Sequence, residues 1–169
     1  MTDQSREILN IADLEAAASV KLSKMAREYY NSGATEQSTL GENTTAFNKY
    51  RLRPRVLTDV SGVDTSTTVF GRKISFPICV APTGLQRLAH PDGELANARA
   101  CAKAGVCMGI SSFSNTGLEE VVSAGEGKVE FGLQLYILRD REVTRSLVTK
   151  AEGTWHTLCG YVLSFLGVC

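Results

Sequence analysis

A surplus of either charge sign is the first thing this sequence lacks. Eighteen Lys and Arg residues balance eighteen Asp and Glu residues, for a formal net charge of zero. Without a basic excess, nucleic-acid binding has no electrostatic support. Histidine is scarce, with only His90 and His156, and no two of the five cysteines (Cys79, Cys101, Cys107, Cys159 and Cys169) form a C-x-x-C pair. Zinc-ligand spacing is therefore absent, and the cysteines read as reduced thiols of a cytosolic or organellar protein. Long hydrophobic runs are missing too. The apolar stretch near the C-terminus falls short of the ~18 residues a membrane span needs, so no membrane partner is expected. Met1 to Asn10 is polar with both charge signs. It has no apolar core followed by a cleavage site, so a secretory leader is not expected, and the Asn43-Thr44-Thr45 sequon carries no expectation of glycosylation. Neither G-x-G-x-x-G nor a Walker sequence occurs, which argues against a classical dinucleotide or nucleotide phosphate loop.

What is present begins with helical signals. Asp13 can cap a run containing Leu14, Ala17, Ala18 and Leu22; Ser23 can cap the next helix, and Gly33 can end it in a left-handed conformation. Glu36 to Asn48 suits a third helix, and Pro54 breaks the pattern. Thr67, Thr68, Val69 and Ile74 are β-branched, with Gly71-Arg72 between them as a two-residue turn, so a small β-ribbon is expected.

A rhythm follows. Ile78 to Ala81, Cys107 to Ser111 and Phe131 to Tyr136 are short apolar runs, each followed by a helix with stop and start signals. Asp92 caps the first of these helices, which Gly105 terminates. Thr116 and Glu119 form a capping box for the second, ending at Gly125. Asp140 caps the third, whose face carries Val143, Leu147, Val148 and Ala151, with a stop at Gly153. Runs recurring about every 25–30 residues with helices between them indicate parallel strands with helical crossovers. The pattern leaves a closed barrel and an open doubly wound sheet equally open.

In both architectures ligands sit at the carboxyl ends of the strands. The informative residues are then Pro82-Thr83-Gly84, Ser111-Ser112-Phe113, Gln134 and Tyr136. The set offers hydroxyls, an amide, a phenol and a flexible glycine, with no His, Lys or Arg. It can hydrogen-bond a flat heterocycle but supplies no strong base; the plain alternative is ordinary strand-end polarity. His90, followed by Pro91, reads as a turn residue, and Tyr30 as a packing residue.

Five motifs occur in order: Tyr29-Tyr30-x-Ser-Gly33-Ala34, Arg53-Pro54-Arg55, Pro77-Ile78-x-x-Ala81-Pro82-Thr83-Gly84, His90-Pro91-Asp92-Gly93-Glu94 and Gln134-Leu135-Tyr136. Together they resemble the FMN-dependent 2-hydroxy-acid oxidase and dehydrogenase family, close to glycolate oxidase, from about Ile11 to Glu152. The resemblance implies an α/β fold of the TIM (β/α)8 barrel type, truncated to about three βα units after N-terminal helices and a β-ribbon. It implies FMN as cofactor and a small 2-hydroxy acid as substrate, oxidised to a 2-oxo acid with hydrogen peroxide formed. By the same resemblance Pro82, Thr83, Gly84, Ser111, Gln134 and Tyr136 contact the cofactor, and Tyr29 and Tyr136 contact the substrate. Phe113 stands where glycolate oxidases often carry tryptophan.

The family's catalytic histidine, lysine and arginine have no counterpart in this sequence, so no catalytic residue is assigned and the chain alone is expected to be inactive. The alternative is a non-enzymatic truncated isoform that binds FMN weakly or joins full-length subunits, which in this family are expected to be homo-oligomers. Residues 1–10 read as a polar tail, 11–152 as the N-terminal part of the FMN domain, and 153–169 as a divergent apolar tail in which Tyr161 to Leu166 could form a strand. The family is often peroxisomal, but Gly167-Val168-Cys169 is not an S-K-L type address, which leaves a cytoplasmic location as the other expectation.

Overall fold

The structure, a computed structural model, describes residues 8–154 and the backbone of 161–164. The polar tail up to residue 7, His156, Cys159, Cys169 and most of the apolar tail lie outside the described residues. The chain divides into two compact units, Met1–Val60 and Ser61–Cys169.

The first unit is helical: α1 (Ile11–Lys21), α2 (Lys24–Asn31), α3 (Ser38–Thr45) and a 3-10 turn, Ala46–Lys49. The cap of α1 is Asn10 rather than Asp13. The Asn10 side chain accepts the Asp13 N–H at 3.0 Å, and the Asp13 carboxylate accepts the Leu9 N–H at 3.3 Å. An amide oxygen one residue before the helix reaches the free N–H groups of the first turn, whereas Asp13 already lies inside that turn. Ser23 caps α2 as expected, accepting the Ala26 N–H at 3.2 Å. Gly33 is not a left-handed cap: α2 ends at Asn31, followed by Ser32 in extended conformation. The third helix starts later than expected because Gln37 adopts φ +57° ahead of it.

The second unit opens with the expected ribbon, β1 (Thr67–Val69) antiparallel to β2 (Arg72–Ile74). Val69 pairs with Arg72, so the two turn residues are Phe70 and Gly71, at φ +52° and +78°, and not Gly71-Arg72. Positive φ at both central positions is the type I′ turn whose twist matches the flanking strands.

The parallel sheet contains β3 (Met108–Ile110), β4 (Phe131–Leu135) and β5 (Tyr161–Ser164), in the order β3-β4-β5. The first apolar run does not become a full strand; Val80 alone bridges Met108 in parallel fashion. Between these strands run α4 (Gly93–Ala104), α5 (Leu118–Ala124) and α6 (Arg141–Thr154). The described residues therefore contain a bridge-and-helix unit, two strand–helix units and a following strand, all parallel, and the sheet they form does not close. All five residues of β4 are buried, as a strand covered on both faces requires. Ala98, Cys101, Val106, Met108, Ile110, Val121, Phe131, Leu133 and Ala151 make up the core between helices and sheet. Each aliphatic side chain so buried stabilises by about 1.5–3 kcal/mol.

The helix ends divide into those that follow the sequence signals and those that do not. Gly105 is left-handed at φ +67° and closes α4. A Cβ there would sit 2.3 Å from the Ser75 hydroxyl, which could turn aside, so it is the left-handed backbone that calls for glycine. Asp92 precedes α4 without a side-chain cap bond; its carboxylate pairs with Arg99 instead. Thr116 and Glu119 do not form a capping box, because Gly117 is the cap residue of α5 and the Thr116 hydroxyl is committed to Glu94. Asp140 does act as expected, accepting the Glu142 N–H at 2.9 Å. Gly153 does not stop α6, which continues to Thr154.

Candidate functional site

A parallel sheet sends the carboxyl ends of its strands to one side, and the three loops that leave Val80, β3 and β4 meet there. The first carries Pro82-Thr83-Gly84. Pro82 lies directly on β3: a Cβ on Gly109 would come within 2.5 Å of the Pro82 Cγ and 2.8 Å of its nitrogen. Only glycine at 109 admits this approach. Thr83 is held through its backbone, since the Gln86 side chain donates from Nε2 to the Thr83 carbonyl at 3.0 Å. Gln86 is itself buried and accepts from Asn97 Nδ2 of α4 at 2.5 Å.

The second loop follows β3. Ser111 is buried and its hydroxyl donates to Gln134 Oε1 at 3.4 Å, while accepting the Phe113 N–H at 3.1 Å. Ser112 reaches the same residue twice: its N–H donates to Gln134 Oε1 at 3.3 Å and its hydroxyl donates to the Gln134 carbonyl at 2.5 Å. The Phe113 carbonyl accepts the Leu85 N–H at 2.9 Å, which stitches the second loop to the first.

The third loop follows β4. Gln134 is 5 % exposed. With two donors on its Oε1, the amide orientation is fixed, and the NH2 must face the other way. Its Nε2 is buried with no hydrogen-bond partner among the described residues. An unpartnered buried donor costs about 1–3 kcal/mol, so such a group in a folded protein points to a missing acceptor. Tyr136 lies two residues further on, with its ring 5.3 Å from that of Phe113 and tilted by 50°. Both rings are open to solvent.

One buried charge underlies the loops. Glu94, in the first turn of α4, is 1 % exposed. Its Oε1 accepts the backbone N–H of Asn115 at 2.9 Å and of Gln86 at 3.4 Å, and its Oε2 accepts the Thr116 hydroxyl at 3.0 Å. Burial alone would raise its pKa; the hydrogen bonds from Asn115, its own N–H, Thr116 and Gln86 outweigh it and hold the carboxyl below its ordinary range.

Of the residues singled out in the sequence, Pro82, Thr83, Gly84, Ser111 and Tyr136 thus lie on the three loops at one end of the sheet, and Gln134 lies in β4, one residue before its end. Tyr29 belongs to the helical unit, on α2, half-exposed and edge-on to Tyr30 at 5.1 Å. His90 is a turn residue, its Nδ1 accepting the Asp92 N–H at 3.1 Å. The sequence reading missed Gln86, Asn97 and Gly109, and passed over Glu94 and Ser112 as supports. Glu94 closes the His90-Pro91-Asp92-Gly93-Glu94 motif, and an acidic residue in a helix's first turn was the available signal.

The family model described as FMN-dependent dehydrogenase matches residues 18–159. The chain is 52 % identical over 146 residues to glycolate oxidase 1 of Zea mays, covering 86 % of this chain and 39 % of the relative. Among solved structures it resembles a mandelate oxidase variant with (S)-mandelic acid, at TM-score 0.85 and 35 % identity, covering 94 % of this chain and 45 % of that one. It also resembles a flavocytochrome b2 double mutant with pyruvate bound, at TM-score 0.84 and 36 % identity, covering 88 % and 39 %. The chain therefore spans well under half the length of the relatives it matches.

Proposed function

The chain belongs to the FMN-dependent dehydrogenase family, and on that premise we propose that its strand-end loops hold one face of FMN in an (S)-2-hydroxy-acid oxidase. The observation that carries this reading is the buried Gln134 Nε2, oriented by Ser111 and Ser112 and left without an acceptor among the described residues. A flavin ring offers carbonyl and imine acceptors in one plane, which suits a fixed amide donor flanked by a serine hydroxyl. The backbone of Pro82, Thr83 and Gly84 would run along the ring, and Ser111, Gln134 and Tyr136 would hydrogen-bond it.

When bound, FMN supplies the electron acceptor that turns a 2-hydroxy acid into a 2-oxo acid and passes the electrons to dioxygen as hydrogen peroxide. The residues of this chain orient and shield. Gln134 and Ser111 fix the heterocycle against the sheet. Phe113 and Tyr136 screen its edge from water. The Tyr136 phenol donates to the carboxylate or hydroxyl of the substrate without adding a charge. The relatives named above carry (S)-mandelic acid, a 2-hydroxy acid, and pyruvate, a 2-oxo acid, which supports that substrate class.

The strand-end residues include no histidine, lysine or arginine. A general base is typically worth about 10²–10⁴ in rate, and oxyanion-type charge stabilisation a comparable factor. We therefore read residues 11–152 as the flavin-face portion of the domain, inactive without groups from elsewhere, and place it in the peroxisome with its family or else in the cytoplasm. Among the described residues no helix is long and apolar enough to cross a membrane.

Titration of the purified chain with FMN, followed by flavin fluorescence, tests this reading. Saturable quenching is expected, weakened about tenfold in Gln134→Leu by the loss of roughly 1.4 kcal/mol. Absence of saturable binding, or equal affinity in the variant, would remove the assignment.

A further inference from the structure

Cys79 and Cys107 each lie one residue before the two ends of an isolated parallel bridge. Val80 bridges Met108 in parallel register. The Val80 N–H donates to the Cys107 carbonyl at 3.0 Å, and the Gly109 N–H donates to the Val80 carbonyl at 2.8 Å. The two cysteines are the residues immediately before that bridged pair. Paired residues on adjacent strands send their side chains to the same face. Adjacent strands lie about 4.7–4.9 Å apart, within the Cα separation of about 4.4–6.8 Å that a disulfide spans. Both cysteines are free thiols, Cys79 exposed and Cys107 buried at 4 %.

We propose that Cys79 and Cys107 are an oxidant-sensitive dithiol that hydrogen peroxide closes into a disulfide beside the Val80–Met108 bridge. The exposed Cys79 sulfur attacks one peroxide oxygen. The O–O bond breaks, one water leaves, and Cys79 becomes the sulfenic acid. The Cys107 sulfur then attacks the Cys79 sulfur. The S–O bond breaks, and the hydroxyl departs as a second water carrying the Cys107 proton. Two thiols and one peroxide give one disulfide and two waters. The order of events follows from position: the buried partner is shielded from the oxidant, and the exposed one meets it first. Burial, with Cys79 alongside, pushes the Cys107 thiol up to about 11, so it keeps its proton at neutral pH.

The bond would matter because the Val80 segment is otherwise tied to β3 by a single bridge. Pro82-Thr83-Gly84 begins two residues beyond it. A covalent link at Cys79 pins the chain at the entry to that loop, whatever ligand the loop binds.

Peptide mapping decides the matter. Trypsin cuts after Lys73, Arg87, Arg99, Lys103, Lys128 and Lys150, which puts Cys79 on 74–87, Cys101 on 100–103, Cys107 on 104–128, and Cys159 with Cys169 on 151–169. The full chain is treated with a slight excess of peroxide, alkylated without reduction, and digested. The expected product is 74–87 joined to 104–128, lighter by two hydrogens than the separate peptides and absent after reduction. Cys101→Ser should keep the link. Cys107→Ser should abolish it and leave a Cys79 sulfenic acid that dimedone labels. A link from Cys79 to 100–103 or 151–169 overturns the pairing. Oxidation of Cys79 without any link, or no oxidation at all, overturns the proposal as a whole.

Discussion

The Glu94 Oε1 atom accepts the backbone N–H of Asn115 at 2.9 Å, joining the start of α4 to the loop that leaves β3. Through the same carboxylate Gln86 and Thr116 are fixed as well, so one side chain holds two of the three loops that make the site. With its folded pKa held below the ordinary 4.5, the stability Glu94 contributes is fully present above that value and is lost as pH falls through the lowered one. Glu94→Gln keeps the shape and one acceptor oxygen but removes the charge and puts an NH2 donor where the other oxygen accepts. It should cost about 1–3 kcal/mol near neutral pH and remove this part of the acid sensitivity. Urea midpoints compared between pH 7 and pH 4 check both statements. A variant as stable as the parent at pH 7 refutes the bracing role.

Gln134 separates ligand binding from stability. Its Oε1 accepts two long hydrogen bonds, at 3.3 and 3.4 Å, while its Nε2 has no partner among the described residues. Gln134→Leu forfeits the two weak bonds but also removes a buried unsatisfied donor, and these terms oppose each other. Without flavin, the melting temperature should change little, corresponding to less than about 1 kcal/mol. A large drop would mean that the amide is a structural brace rather than a recognition group.

The two kinds of residue differ in how far the sequence revealed them. Strand-end chemistry was legible because the rhythm of apolar runs and capped helices places Ser111, Gln134 and Tyr136 by counting alone. The supports were not. Gly109 looks like any strand glycine until Pro82 is seen lying on it, and Thr116 looks like a cap until Glu94 claims its hydroxyl. Those are contacts between distant segments, with no local signature. Phe70 misled for a different reason. A bulky aromatic disfavours positive φ, so the turn reads one residue later than the β1–β2 register sets it.

Gly109 should not tolerate even one methyl group. The Cβ of an alanine would lie 2.5–2.8 Å from three atoms of Pro82, one of them backbone nitrogen. A flexible side chain could swing aside, but a proline ring bonded into the backbone cannot. Gly109→Ala should destabilise by about 1–3 kcal/mol and shift the Pro82-Thr83-Gly84 loop off β3. Differential scanning calorimetry reads the first effect. Hydrogen exchange at the Gly109 amide, which donates to Val80, reads the second. Unchanged protection at that amide would contradict the packing argument.

Asp140 and Asp92 look alike in sequence, each an aspartate just ahead of a helix, yet they should respond differently to truncation. Asp140 accepts the Glu142 N–H at 2.9 Å at the start of α6, satisfying one of the donors a helix start leaves free. Asp140→Ala should therefore cost about 1 kcal/mol. Asp92 makes no cap bond and pairs only with Arg99 on the surface, where both side chains are about half exposed and such a pair contributes about 0–1 kcal/mol. That contribution is screened by salt. Denaturation at low and at high ionic strength distinguishes the two. The Asp140→Ala deficit should persist at 1 M salt, and the smaller Asp92→Ala deficit should shrink. If both deficits respond to salt alike, Asp140 acts as a surface charge and not as a cap.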